Sequence, residues 1–255
     1  MAKCLQFHTV FAILVCLASG CSILDEKDET ADWTAEIFLQ TAQEHRDAGN
    51  WEQAIDYYRK LEGRFPYGAF AEQAQLEIAY AYFKSDQPAL AITSADRFIQ
   101  MHPVHPNVDY AYYLKGLAGF QPSGGFLSTM TGSDPSTRDT EPVREALNAY
   151  RELVKRFPDS PYTPDARKRL VHIVNVLAMH DVGVARYYYS RGAYVAAVNR
   201  AKHVLETYQT AAATEQALAV MVDAYGKMGL AGLQNDALRV LRLNYPQSVF
   251  LPENS

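Results

Sequence analysis

The chain has 255 residues, enough for one large domain or two ordinary ones. Apolar residues make up 48% and charged residues 21%, with 17 tyrosines against 14 glycines, which excludes a disordered or loop-dominated protein. The formal net charge of -5, with no long basic run, argues against a nucleic-acid partner.

The first element is a leader. Lys3 and the terminal amine precede the apolar run from Val10 to Ala18, and small residues Ser19 and Gly20 follow. This layout predicts a signal peptide over 1–20, too short in its apolar part for the roughly 20 residues of a spanning helix. Leu17-Ala18-Ser19-Gly20-Cys21 resembles a bacterial lipobox, with Ala18 in the slot that leucine usually fills. The resemblance implies that Cys21 is acylated and becomes the new N-terminus. Two or more acyl chains anchor stably where one is marginal. Cleavage there leaves 235 residues (255 − 20) and removes Cys4 and Cys16, so neither a disulfide nor a cysteine-ligated metal is expected. Ser22, not aspartate, resembles the class sorted to the outer membrane. Residues 21–32, with the acidic run Asp25 to Glu29, read as a flexible tether.

From residue 33 onward a repeat governs the sequence. Ala54, Tyr58, Leu61 and Pro66 share their spacing with Ala91, Ala95, Phe98 and Pro103, and with Ala146, Tyr150, Leu153 and Pro158. A fourth copy reads Ala197, Ala201, Val204 and Gln209. Apolar positions at i, i+4 and i+7 mark one helix face, and the proline ends the helix. Five residues before the alanine stands a turn residue: Gly49, Asp86 or Gly192. Nine before stands His45, Tyr82 or Tyr188, and twelve before stands Ala42, Ala79 or Ala185. A fifth copy ends at Pro246, with Gly229, Tyr225 and Val222 in register but Gln234 in place of the alanine. The pattern is that of diverged tetratricopeptide (TPR) repeats. It predicts an all-α, right-handed α-solenoid of about five helical hairpins, in which stacking buries the faces that single hairpins expose.

The stop residues show where the array departs from a regular repeat. Pro66 to Pro103 is 37 residues, Pro103 to Pro158 is 55, and Pro158 to Gln209 is 51. The first excess falls in 121–141, a Ser-, Gly-, Thr-, Asp- and Pro-rich loop without helical periodicity. The second follows Thr163-Pro164, read as an N-cap and a proline at the first helical position. It predicts a long helix, or two nearly collinear ones, reaching Ser190. The expected division is therefore repeats one to three over 33–158, and a connecting helix with repeats four and five over 159–255.

First helices of such hairpins line the concave side. The inward candidates are Leu39, Gln43, Arg46, Leu76, Tyr80, Phe83 and Lys84, aromatics beside cations that suit an extended peptide with a carboxylate. Catalytic groupings do not emerge. Pro103 and Pro106 break the helix that would aim His102 and His105 at one metal, and His172 and His180 lack a carboxylate or cysteine at ligand spacing. No enzyme activity, cofactor or metal is expected.

The strings Asp47-Ala48-Gly49-Asn50-Trp51-Glu52-Gln53-Ala54-Ile55, Arg64-Phe65-Pro66-Tyr67-Gly68 and His105-Pro106-Asn107-Val108-Asp109-Tyr110 resemble the BamD (ComL) family of outer-membrane assembly lipoproteins. So do Lys168-Arg169-Leu170-Val171 and Arg191-Gly192-Ala193 with Val198-Asn199-Arg200. The resemblance implies a lipid-anchored scaffold on the periplasmic face of the outer membrane, within the β-barrel assembly (BAM) complex. It implies binding to the periplasmic domains of BamA, to the lipoproteins BamC and BamE, and to the C-terminal targeting strands of unfolded outer-membrane proteins. It places strand recognition near Arg64, Phe65 and Gly68, to which the concave candidates Arg46, Tyr80, Phe83 and Lys84 are added. It places the BamA contact at Arg191 and Arg200, with Tyr188 nearby. Arg200, between core positions, is expected to point sideways or outward. The alternative is another periplasmic TPR adaptor, for example one linked to peptidoglycan.

Overall fold

The computed structural model describes residues 29–120 and 139–251. Cys21, the leader and most of the 121–141 loop lie outside the described residues. The chain divides into two units, Met1–Thr34 and Ala35–Ser255. Of the first, only residues 29–34 are described, a turn in which the Trp33 amide donates to the Thr30 carbonyl at 3.0 Å.

Within the second unit the described residues form helices and turns without strands. The helices are α1 (Ala35–Asp47), α2 (Trp51–Arg64), α3 (Ala69–Lys84), α4 (Pro88–Met101) and α5 (Val108–Gly119). Then come α6 (Glu141–Arg156), α7 (Thr163–Ser190), α8 (Tyr194–Thr207), α9 (Thr214–Lys227) and α10 (Ala231–Asn244). Each packs on its neighbours in the chain, and first helices also touch one another, α1 on α3, α3 on α5 and α7 on α9. This is a TPR-like helical solenoid of five hairpins.

The repeated offsets have physical causes. Gly49, Asp86, Gly192 and Gly229 all have positive φ, between 59° and 77°. Each follows a first helix, where a left-handed residue lets the chain reverse. The amide one residue later then donates back to the aromatic-type position: Asn50 to His45, Gln87 to Tyr82, Ala193 to Tyr188 and Leu230 to Tyr225, at 2.8–3.0 Å. Asp86 is the one non-glycine among these positive-φ residues, and it adopts the conformation at a steric cost that glycine avoids.

The repeated alanines Ala54, Ala91, Ala146 and Ala197 are all 0% exposed, as are Leu61, Phe98, Leu153 and Val204 seven residues on. The fifth hairpin exchanges partners. A β-carbon on Gly226 would fall 2.7 Å from Gln234 Nε2, so the small residue sits on the facing helix α9 and leaves room for glutamine on α10. Each second helix ends on a ring whose backbone has left the helical region: Phe65, His102, Phe157, Tyr208 and Tyr245, with φ between −125° and −134° and ψ between 49° and 71°. Four of these five precede proline, which disfavours helical backbone in the residue before it.

Two readings shift at the junction of the array. The loop ends sooner than 141, because Glu141 is already the first residue of α6. Thr163 is not the N-cap of α7 but its first residue, 1% exposed, with its hydroxyl donating to the Phe157 carbonyl at 2.7 Å. Thr214 at the start of α9 repeats the arrangement toward Ala211, also at 2.7 Å. Burial draws the threonine hydroxyl to the nearest open carbonyl, which belongs to the preceding turn. Helix α7 is a single helix of 28 residues, twice the length of α8. One continuous core runs from Phe120 through α6, α7 and α8 to Val220 of α9.

Candidate functional site

The first helices α1, α3 and α5 bring together a groove of about 830 Å³. Arg46, Gln73, Glu77, Tyr80, Tyr110 and Tyr162 contribute to its walls. Arg46 donates through Nη1 to Glu77 Oε1 at 2.8 Å, and its Nη2 lies 2.9 Å from Asp47 Oδ1. Burial pulls the guanidinium pKa down, but the hydrogen bonds to Asp47 and Glu77 outweigh it and hold the value above the usual range. Arg46 is thus already matched by two carboxylates of the same chain.

The cations and aromatics form a run. Lys84 Nζ stands 5.9 Å over the Trp51 ring, and Trp51 meets Tyr80 edge-on at 6.0 Å. Tyr80 and Tyr110 pack on the same small cluster of Ala79, Ala95 and Leu114. Tyr110 lies 5.2 Å from Tyr162, and Tyr162 stacks on Tyr113 at 4.9 Å. Tyr113 donates to Asp165 Oδ2 at 2.7 Å, where Arg169 also binds. Burial pushes the Tyr110 hydroxyl well above the ordinary tyrosine range, helped by Tyr80 and the charge of Glu77.

The seven residues assigned to strand binding therefore separate. Arg46 and Tyr80 line the groove, whereas Lys84 lies outside its walls, over Trp51, which meets Tyr80. Phe83, partly buried, packs against the same cluster as Tyr80 but does not line the groove. Arg64 and Phe65 gather on Phe38 instead, Arg64 Cζ 5.1 Å over its ring and Phe65 at 6.4 Å. Gly68 caps α3 with φ +92°, one residue before the groove-lining Ala69. Sequence reasoning missed Tyr110 and Tyr162. Tyr110 had a signal, since it stands one repeat (110 − 73 = 37) after Gln73, another groove residue.

At the other end of the array, Tyr188, Asn199, Arg200 and His203 share a shallow pocket of about 360 Å³. Arg191 is separate, with Cζ 5.3 Å over the Tyr187 ring. Arg200 does not simply point outward. Its Nη1 donates to Asp181 Oδ1 at 3.3 Å, and Asp181 is 0% exposed. The helical wheel places Arg200 between core positions without showing that a buried carboxylate of α7 stands within its reach.

The loop histidines have partners of their own. His102 Nε2 meets Gln75 Oε1 at 2.8 Å, His105 Nε2 lies 3.5 Å from Glu72 Oε2, and both rings pack on Phe98. Among the described residues no group of three or more His, Cys, Asp or Glu could hold a metal, and no helix is long and apolar enough to cross a membrane.

Comparison with known proteins decides the family. The family model described as "YfiO: Outer membrane lipoprotein" matches residues 31–241. The chain belongs to this family. Its relatives include the outer membrane protein assembly factor BamD of Neisseria meningitidis serogroup A, 42% identical over 94% of this chain and 90% of that one. BamD of Vibrio cholerae is 32% identical over 94% of this chain and 99% of that one. The solved TPR domain of P58(IPK) superposes loosely, with 14% identity, a TM-score of 0.41, and coverage of 85% of this chain and 53% of that one. The BamD assembly factors are thus its relatives within the outer membrane lipoprotein family.

Proposed function

We propose that this chain is a non-catalytic scaffold of the BAM complex, held to the periplasmic face of the outer membrane by acyl chains on Cys21. Its N-terminal groove receives the C-terminal targeting strand of an unfolded outer-membrane protein. Its Arg200 pocket docks a carboxylate on a periplasmic domain of BamA, and BamC and BamE bind the same scaffold.

The observation that carries the strand-binding part is the run of Tyr80, Tyr110 and Tyr162 along the groove, extended beyond it by Trp51. Rings of this kind offer large rigid surface at small entropic cost, together with hydroxyls for a peptide backbone. Because Arg46 is matched by Glu77 and Asp47, a strand's terminal carboxylate is better served by Lys84 over Trp51. The arrangement supplies side-chain stacking and point charge.

Calorimetric titration of the full chain with a peptide copying the last ten residues of an outer-membrane barrel tests this. Tyr80→Ala and Tyr110→Ala should each weaken binding by about 1–3 kcal/mol. Equal affinity of both variants would remove the groove from the site. Co-precipitation from envelope membranes separates the reading from its rival: recovered BamA supports it, whereas recovered peptidoglycan without BamA supports the peptidoglycan-linked adaptor.

A further inference from the structure

Asp181 sits wholly buried in the middle of α7, and nothing in the proposed function uses it. Four side chains on three helices face it. Arg200 of α8 donates to Oδ1 at 3.3 Å, and Arg144 Nη2 of α6 lies 3.9 Å from Oδ2. His203 Nε2 of α8 lies 3.6 Å from Oδ2, and His180 Nδ1 of α7 lies 3.5 Å from Oδ1. Oδ2 receives no hydrogen bond. An ionised carboxylate this deep is costly to desolvate, and well-packed apolar residues often serve stability as well or better.

The two arginines are held differently. Arg144 is fastened at a second point, donating through Nη1 to the Tyr208 hydroxyl at 3.0 Å. Arg200 touches Asp181 with one arm, has a side chain 37% exposed, and lines the pocket with Tyr188, Asn199 and His203. None of the residues lining that pocket is acidic. Two guanidinium groups thus stand against one carboxylate, leaving one positive charge at the pocket unmatched by its lining.

We infer that Asp181 is a positioning residue: from inside the core it fixes the Arg200 guanidinium so that its outer edge is presented, pre-aligned, to a carboxylate on a partner protein. A planar fork gains most when its orientation is set beforehand, because less rotational freedom is lost on pairing. The inference rests on reading the Arg200 pocket as a docking surface, and its test is built to fail separately from that reading.

The partner-free test is nuclear magnetic resonance of the isotope-labelled full chain, measuring rotation about the Arg200 Nε–Cζ bond. In the unaltered protein that rotation should be at least about fivefold slower than for Arg191, which carries no such carboxylate; equal rates would overturn the inference without any variant. In Asp181→Asn the Arg200 rotation should speed up several-fold, and an unchanged rate overturns it too. The second test is a double-mutant cycle against the BamA periplasmic domains. Asp181→Asn should lower affinity about tenfold in the unaltered background and not at all in Arg200→Ala, since it acts through Arg200. A full tenfold loss in both backgrounds would mean a general disturbance and would overturn the inference. If Arg200→Ala binds as tightly as the unaltered chain, the docking reading fails, while the positioning of Arg200 stands or falls on the rotation rates alone.

Discussion

Gly116 of α5 lies directly against the ring of Tyr150 on α6. A β-carbon at Gly116 would fall 2.4 Å from the Tyr150 Cε1 and Cζ atoms. In hairpins one, two and four the repeated alanines Ala54, Ala91 and Ala197 are fully buried between the helices, and in the fifth Gly226 is the small residue. In the third hairpin Ala146 is buried likewise, and Gly116 in addition leaves room for the Tyr150 ring.

Gly116→Ala should therefore destabilise the protein although alanine is the better helix former. Overpacking of about 1–3 kcal/mol opposes a propensity gain of about 1 kcal/mol. Urea unfolding should show a net loss, and the Tyr150→Leu background should reduce it. A gain in stability from Gly116→Ala alone would contradict the packing described.

Ala54 and Ala91 occupy the same place in hairpins one and two, both fully buried. Phenylalanine at either position should cost roughly 1–3 kcal/mol or more. Gln234→Ala in the fifth hairpin, facing Gly226, should cost less than about 1 kcal/mol. Denaturation curves of the three variants check the contrast.

Arg200→Glu should unfold more readily than Arg200→Ala. The new carboxylate would face buried Asp181, which the arginine now pairs. With the Arg200 side chain partly in solvent, the extra loss is about 1–2 kcal/mol. Identical melting temperatures for the two variants would argue that the pair at Asp181 contributes little.

Tyr150 has a buried hydroxyl without a well-formed hydrogen bond, and burial pushes its pKa far above the ordinary tyrosine range although nearby Arg169 pulls the other way. The sign follows from which state ionises first. The unfolded chain loses this proton near pH 10 while the native chain keeps it, so stability is intact below about pH 10 and declines above it. Tyr150→Phe should raise stability at pH 7 by about 1 kcal/mol and soften the alkaline decline. Absorbance at 295 nm should show its ionisation together with unfolding, not ahead of it.

Much of the fold was legible because it repeats. The turn offset found at Gly49, Asp86, Gly192 and Gly229 coincides with positive φ at all four, and the alanine offset coincides with full burial at Ala54, Ala91, Ala146 and Ala197. Local backbone geometry and close helix approach leave the same mark in each copy. The gathering at Asp181 leaves none, since Arg144, Asp181 and Arg200 occur once each and meet only through the stacking of α6, α7 and α8. The groove was half legible. Arg46 and Tyr80 come from the first helices of neighbouring repeats, but Tyr162 joins them from the turn before α7, outside the periodic pattern. Arg46 read as an open cation because its pairing with Glu77 crosses from one repeat to the next.

Helix α7 begins one residue after Tyr162 of the groove and carries Tyr188 of the Arg200 pocket near its end. The interval of 26 residues (188 − 162) amounts to about 39 Å of axial rise. A hydrogen-bonded helix barely stretches, so it acts as a ruler between the two surfaces. With both surfaces occupied as proposed, the two occupants would be kept apart by a set distance and would be carried at the same time. Lengthening α7 by one turn would then alter the spacing of a ternary assembly while leaving each separate affinity as it was.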